Sequence, residues 1–291
     1  MGVSVKVVAD SLSPDGVRLT SLELVIHRFT LAEWNTHRKF SRNSASSRAI
    51  PVETMIQRVR ADPAWPLVWP CEQPGMSGGA ELRGMDLNDA EQLFHDVWSF
   101  TTQRIGLYLE NHPDKATRLH KSLVNRLIEP FMWHTMLITS TEWENFYRQR
   151  CAPTAMPEFR IPAEMVRDAI EASDPVEMDW FEWHTPYIGL NVDDAVLEIL
   201  DRLRVSVGRC ARTSYLTHDG QRDVAKDIQL YEDTLAKYGH WSPLEHVAVC
   251  LPARWEEPHF GNFDEPWYQM RQLVERSNGE FTAVEEVVKA R

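Results

Sequence analysis

The sequence predicts an α+β protein in which a small mixed or antiparallel sheet lies beside long helices. Three observations lead there. Strand-like alternation is confined to short runs, helix-period stretches are longer and more numerous, and the chain holds no internal repeat or low-complexity tract. At 291 residues it can bury a substantial core, and a single domain over 1–291 is expected, interrupted by one irregular loop over 62–86.

Taken in order, Val3 to Val8 and Ser21-Leu-Glu-Leu-Val-Ile26 read as strands. Pro51 sits where proline is favoured, at the first turn of a helix. Residues 62–86 hold Pro63, Trp65, Pro66, Trp69, Pro70, Pro74 and a Gly78-Gly79 pair, and loops of that length are usually functional or mobile. Asn88 with Glu91 is a capping signal for a long helix whose Leu93, Phe94, Val97, Phe100, Ile105 and Leu107 are expected in the core. A helix over 120–128 stops at Pro130, and a second is expected over 131–150. Pro153 and Pro157 break the pattern before a helix near Ala163, and 173–191 is loop-like. Helices follow over 192–207 and 222–238, the latter ended by Gly239 in a left-handed cap. Val247 to Leu251 is a strand and 264–276 the last helix.

Composition is that of an ordinary soluble protein, 43% hydrophobic and 25% charged, and no apolar run spans a bilayer. The N-terminus lacks a charged-then-apolar signal layout, and Lys6 stands where a myristoylation motif wants Ser or Thr, so a cytoplasmic protein is expected. A net charge of −12 argues against a coat for long nucleic acid. Cys71, Cys151, Cys210 and Cys250 form no Cys-x-x-Cys pair and read as reduced thiols. A metal reading of Cys210, His240 and His246 matches no common zinc spacing, and no metal is expected.

Against that acidic background, Asn35-Thr36-His37-Arg38-Lys39-Phe40-Ser41-Arg42-Asn43-Ser44-Ala45-Ser46-Ser47-Arg48 stands out. It combines four cations, an imidazole and four serine hydroxyls without a carboxylate. A solvated basic turn would explain the charge alone, but arginine forks and hydroxyls together suit a small phosphate-bearing ligand.

The spacing His37-Arg38-x-x-Ser41-x-Asn43-x-x-Ser46-x-Arg48 resembles the signature of the flavin-dependent thymidylate synthases. Other segments resemble that family too. His240-Trp-Ser-Pro-Leu-Glu-His246 is similar to its His-x-Ser-Pro-x-Glu-His element, and Cys210-Ala-Arg-Thr-Ser-Tyr215 to its Ala-Arg-x-x-Tyr lead-in. Asn125-Arg126-Leu-Ile-Glu129-Pro130, Asn145-Phe-Tyr-Arg-Gln-Arg150 and Ala155-Met-Pro-Glu158-Phe-Arg160 resemble further steps. Thr36, Ser44 and Ala49 replace the family's Arg, Glu and Tyr, and Met156-Pro157 replaces its Gln-x pair. The order also differs, since the His-x-Ser-Pro element follows the arginine motif by about two hundred residues. A circular permutation accounts for that.

The resemblance implies reductive methylation of dUMP to dTMP with FAD, NADPH and methylenetetrahydrofolate, in a homotetramer whose sites draw on several subunits. It implies that Ser46 and Arg48 hold the nucleotide phosphate, and that His37, Arg38, Ser41 and Asn43 face the flavin. His240, Glu245, Arg150 and Glu158 would complete the flavin pocket. His246 would lie by flavin and substrate, and Arg167 near the pyrimidine carbonyls, where it would stabilise developing charge. Loop 62–86 would be a mobile lid over the flavin. A related one-carbon transfer such as hydroxymethylation, or a non-catalytic nucleotide- or nucleic-acid-binding protein, are the alternatives. A yellow preparation separates the flavoenzymes from the binding module.

Overall fold

Alternating β-branched and apolar residues drive the first two strands together. The structure, a computed structural model, describes residues 2–189, 196–215, 223–253, 255 and 261–290. Strands β1 (Ser4–Leu12) and β2 (Arg18–His27) pair antiparallel, with a register shift between Val7 and Ala9. The turn between them is closed by the Val17 amide donating to Ser13 Oγ at 2.9 Å. Strands β3 (Ser41–Ser44), β4 (Trp133–Ser140) and β5 (Val176–Glu177) complete a sheet ordered β3-β4-β2-β1-β5, antiparallel except where β5 runs beside β1. A second, antiparallel sheet holds β6 (Trp183–His184), β7 (Ala248–Cys250) and β8 (Trp267–Gln269).

The helices are α1 (Leu31–Trp34), α2 (Val52–Ala61), α3 (Gly84–Asn111), α4 (Lys121–Val124), α5 (Glu144–Arg150), α6 (Pro157–Glu171), α7 (Ile199–Tyr215), α8 (Val224–Leu230), α9 (Met270–Arg276) and α10 (Thr282–Lys289). One face of the large sheet (Leu22, Leu24, Ile26, Met136, Ile138) is covered by Phe159, Ala163, Val166 and Ile170 of α6. A second core gathers α7 to α10 around Val247, Val249 and Leu251. The α+β expectation thus holds, with long helices and two small sheets. No helix among the described residues is long and apolar enough to cross a membrane.

The two sheets are joined through buried polar groups on the other face of β2 and β4. Ser11 Oγ lies 2.8 Å from His184 Nδ1, and His184 Nε2 lies 2.8 Å from Ser21 Oγ. Ser21 Oγ contacts Thr139 Oγ1 at 2.6 Å, which contacts His246 Nδ1 at 2.8 Å.

Several expectations are corrected. The single helix over 131–150 is instead β4, a short turn and α5. β4 is covered on both faces, so its apolar run lacks the two-residue alternation that marks a half-exposed strand. Its β-branched Thr135, Ile138 and Thr139 suit the pleat. The helix placed over 192–207 begins at Ile199 and runs on to Tyr215, 190–195 lying outside the described residues. The 222–238 helix is α8 followed by a π-helical turn, with residue 222 outside the described residues, and Gly239 does take the left-handed conformation at φ +65°. The last expected helix opens instead as β8, and α9 starts only at Met270, with a reciprocal Gln269–Gln272 capping box. Pro157, expected as a breaker, opens α6 at a position where its missing N–H costs nothing. Helix α10 is an addition that the sequence pattern did not suggest.

Helix α3 starts at Gly84, ahead of the expected cap at Asn88. Its buried side is Phe94, Trp98, Thr102, Ile105 and Leu109, packed on α2 and on Val124, Ile128 and Phe131. Leu93, Val97, Phe100 and Leu107, expected in the core, are exposed. The expected stripe therefore joins two adjacent helix faces, roughly 100° apart.

Helices α7 and α8 touch backbone to backbone at Gly208. Asp227, fully buried, accepts from Arg209 Nε at 3.0 Å and Arg212 Nε at 2.5 Å. A Cβ at Gly208 would overlap the Asp227 carbonyl. Gly208→Ala is expected to cost about 1–3 kcal/mol through this clash, read as a lower midpoint in urea denaturation; an unchanged midpoint would show that the helices part without penalty.

Candidate active site

The basic segment forms a spine that passes three places in turn. It leaves α1 as a turn pinned by Thr36 Oγ1 donating to the Glu33 carbonyl at 2.6 Å and Arg42 donating to the His37 carbonyl at 2.7 Å. It then becomes β3, an edge strand paired, among the described residues, only to β4. The Ala45 amide extends the pairing by donating to the Thr135 carbonyl at 2.9 Å.

At the first place, His37 sits among Phe40, Phe146 and Phe159, with ring centroids 5.1 to 6.3 Å away. Arg150 Nε donates to His37 Nε2 at 2.9 Å, its second arm donates to Thr36 Oγ1 at 2.9 Å, and its guanidinium lies 4.7 Å from the Phe159 ring centre. Because Nε2 accepts, the ring proton is on Nδ1. Burial, then the charges of Arg150 and Arg42, hold the His37 pKa down to about 4. Exposed Arg38 and half-buried His37 line a 250 Å³ cleft with Thr36, Lys39, Asn145 and Phe146.

At the second place, Ser41 and Asn43 point inward from β3. Ser41 Oγ accepts from Gln269 Nε2 at 2.7 Å and Asn262 Nδ2 at 3.2 Å. Asn43 Nδ2 donates to the Cys210 carbonyl at 2.9 Å. The expected Ser-Pro turn is present as a 3-10 turn over Ser242–Glu245. It does not bring its two histidines and carboxylate to one point. His240 is exposed, whereas His246 is fully buried and its Nε2 has no hydrogen-bond partner among the described residues. Burial and nearby His184 push the His246 pKa down to about 3. Glu245 pairs with Arg271 while its carbonyl accepts from Gln269 at 2.8 Å.

The third place is a cavity of about 410 Å³ between the 45–50 turn, α2 and the start of β4. Ser46, Ser47, Arg28, Arg58, His134 and the carboxylate of Asp62 give it polar walls, and Ile50, Met55, Val59, Met132 and Trp133 an apolar floor. Buried Asn125 shapes the turn, its amide donating to the Ser47 and Ile50 carbonyls at 2.7 and 3.1 Å. Arg28 reaches Glu129 at 3.2 Å and the His134 ring at 3.3 Å, and burial with that adjacent charge pushes the His134 pKa down to about 3. Among the described residues Arg38, Arg48 and Arg58 carry no ion pair.

The twelve residues singled out in the sequence are thus divided, with exposed His240 standing apart. His37, Arg38 and Arg150 meet at the cleft, while Ser41, Asn43, Glu245 and His246 belong to the buried junction. Ser46 lines the cavity and exposed Arg48 follows on the same turn. Glu158 is buried and accepts from the Leu67 amide at 2.9 Å, anchoring the irregular loop. Arg167 lies on the outer side of α6, paired with its neighbour Asp168 at 2.8 Å. Arg28, Arg58, His134 and Gln269 were not anticipated. His134 was hidden by the helix expected over its strand, and the others carry no local motif.

No protein-family model matches this chain, and no curated protein does. Among solved structures, it is similar in part to thymidylate synthase X of Helicobacter pylori, crystallised with FAD and dUMP. The match is 15% identical, covers 52% of this chain and 67% of that one, and has a TM-score of 0.32. A second structure of the flavin-dependent thymidylate synthase from the same organism, also with FAD and dUMP, is 16% identical over the same shares with a TM-score of 0.34. Likeness of that extent transfers no residue role to this chain, so what each side chain can do follows from its own surroundings.

The buried and half-buried imidazoles set an acid limit. His37, His134, His184 and His246 are held neutral well below the ordinary value of 6.5. As pH falls below 6.5 the unfolded chain takes up protons that the folded one refuses, so their contribution to stability is full above 6.5 and is lost on descending toward 4. The urea midpoint is expected to be clearly lower at pH 5 than at pH 7.5; equal midpoints would contradict neutral buried rings.

Proposed function

We propose that this chain is a flavin-dependent enzyme that methylates dUMP reductively to dTMP, with FAD, NADPH and methylenetetrahydrofolate. The observation that carries the reading is the course of the basic segment. A stretch with the spacing of a flavin-dependent thymidylate synthase motif lines, through Ser46 and Ser47, a cavity large enough for a small ligand. Unpaired Arg48 lies on the same turn and unpaired Arg58 on its wall.

In this reading Ser46 and Arg48 bind the nucleotide phosphate, and the apolar floor takes the pyrimidine. Bidentate guanidinium contacts hold the phosphate in one orientation. Arg38 at the cleft serves the phosphates of FAD. FAD would supply hydride transfer to the one-carbon unit. The donors present suit its phosphate end, whereas the 250 Å³ cleft is too small for the whole dinucleotide, which agrees with a site completed by other subunits of a homotetramer. His37, kept neutral and fixed by Arg150, offers Nδ1–H as a donor without adding charge. Arg167 is dropped from this assignment because its charge is spent on Asp168 at the surface. Lying 0% exposed, His246 acts within the fold.

The test is an anaerobic absorbance assay on the FAD-reconstituted protein, reduced with NADPH and then given dUMP and methylenetetrahydrofolate. Flavin reoxidation requiring both additions, with thymidylate identified by mass, is expected. Another one-carbon product would redirect the reading to a sister chemistry, and failure to take up flavin would overturn it. Arg48→Ala is expected to weaken dUMP binding about tenfold or more while FAD uptake stays unchanged. Equal loss of both, followed by titration of each ligand, would mean that Arg48 serves the wrong phosphate.

A further inference from the structure

The exposed stripe on α3 plays no part in the fold or in the flavin chemistry. Leu93 and Phe100 are 62% and 67% exposed, and Val97 and Leu107 stand out beside them. With Arg104 they follow one another at alternating intervals of four and three residues, the spacing of a coiled-coil seam. Next to the C-terminal half of the seam, Leu119 and Leu127 are also exposed, and a groove of about 420 Å³ runs between them and Phe100, Arg104 and Tyr108. A continuous apolar face of this extent on an otherwise charged surface marks a contact site.

We propose that this face binds a second copy of the same chain, the two α3 helices lying antiparallel about a two-fold axis between Trp98 and Ser99. About that axis Val97 meets Phe100 of the second copy, and Leu93 comes over Arg104 and the adjoining groove. Charge selects this occupant. On the seam side the N-terminal half of α3 exposes Asp86, Asp89 and Asp96, whereas the groove end exposes Arg104 and Arg126, neither ion-paired among the described residues. Antiparallel pairing sets each acidic half against the other copy's arginines, and parallel pairing would set acid against acid. A contact that matches itself under a two-fold rotation is the isologous kind that closes into a dimer. None of this depends on the flavin chemistry.

The experiment is sedimentation of the full chain at tens of micromolar. The wild-type chain is expected to form a dimer or an even-numbered assembly. Val97→Glu with Phe100→Glu, both on exposed positions, should halve its mass without altering the far-ultraviolet circular dichroism. Val97→Cys with Phe100→Cys should give a covalent dimer on mild oxidation, beyond any formed by the native cysteines, and Val97→Cys alone should not. A monomeric wild-type chain, or an assembly whose mass ignores the two glutamates, would overturn the proposal. So would cross-linking by Val97→Cys alone, because that reports parallel helices.

Discussion

The two sheets of this protein are held in register by a chain of five buried side chains, Ser11, His184, Ser21, Thr139 and His246. Buried polar groups are tolerable only when each finds a partner, so the chain fixes where β1, β2, β4 and β6 stand relative to the turn before β7. Its direction follows from counting hydrogens. Run from Ser11 toward His246, every hydroxyl has an acceptor and one loose end remains, the Nε2–H of His246. Run the other way, the Ser11 hydroxyl is left without an acceptor and His246 without a donor. The first arrangement leaves fewer buried groups unsatisfied.

That junction explains why the basic segment is divided. Ser41 and Asn43 are drawn to the second sheet and to α7, where Gln269, Asn262 and the Cys210 carbonyl satisfy them. Polar atoms so engaged shape the strand from within. The ends of the segment, at His37 to Arg38 and at Ser46 to Arg48, remain the parts with access to cleft, cavity and solvent.

Much of the fold is legible in the chain, and the failures have physical causes. β1, β2 and β7 alternate or run short between turn residues, which is why they show in the pattern. β4 reads as helix because both its faces are covered, which removes the alternation. The existence of α3 is plain from its period but its orientation is not, since two faces of one helix both carry apolar residues and pattern alone does not say which meets the core. The candidate site is legible as chemistry at 36–48 but not as geometry. Nothing local in His240 to His246 says that one histidine ends exposed and the other is sealed against Thr139. Likewise, the loop over 62–86, expected as a mobile lid, is tied down through Leu67 to Glu158, Ser77 to the Thr154 carbonyl and Ala64 to the Phe131 carbonyl.

Because β3 is only four residues long and lies at the sheet edge, its side chains are sorted by parity alone. Ser41 and Asn43 go inward and Arg42 and Ser44 outward. Adding or deleting one residue there would exchange the two sets, sending a guanidinium toward Gln269 and stranding the amide of Asn43 outside. Point changes on the outward side leave that sorting intact. Length changes are therefore tolerable only in the flanking turns, and substitutions can alter the chemistry at each end of the segment while the stretch between them keeps its count.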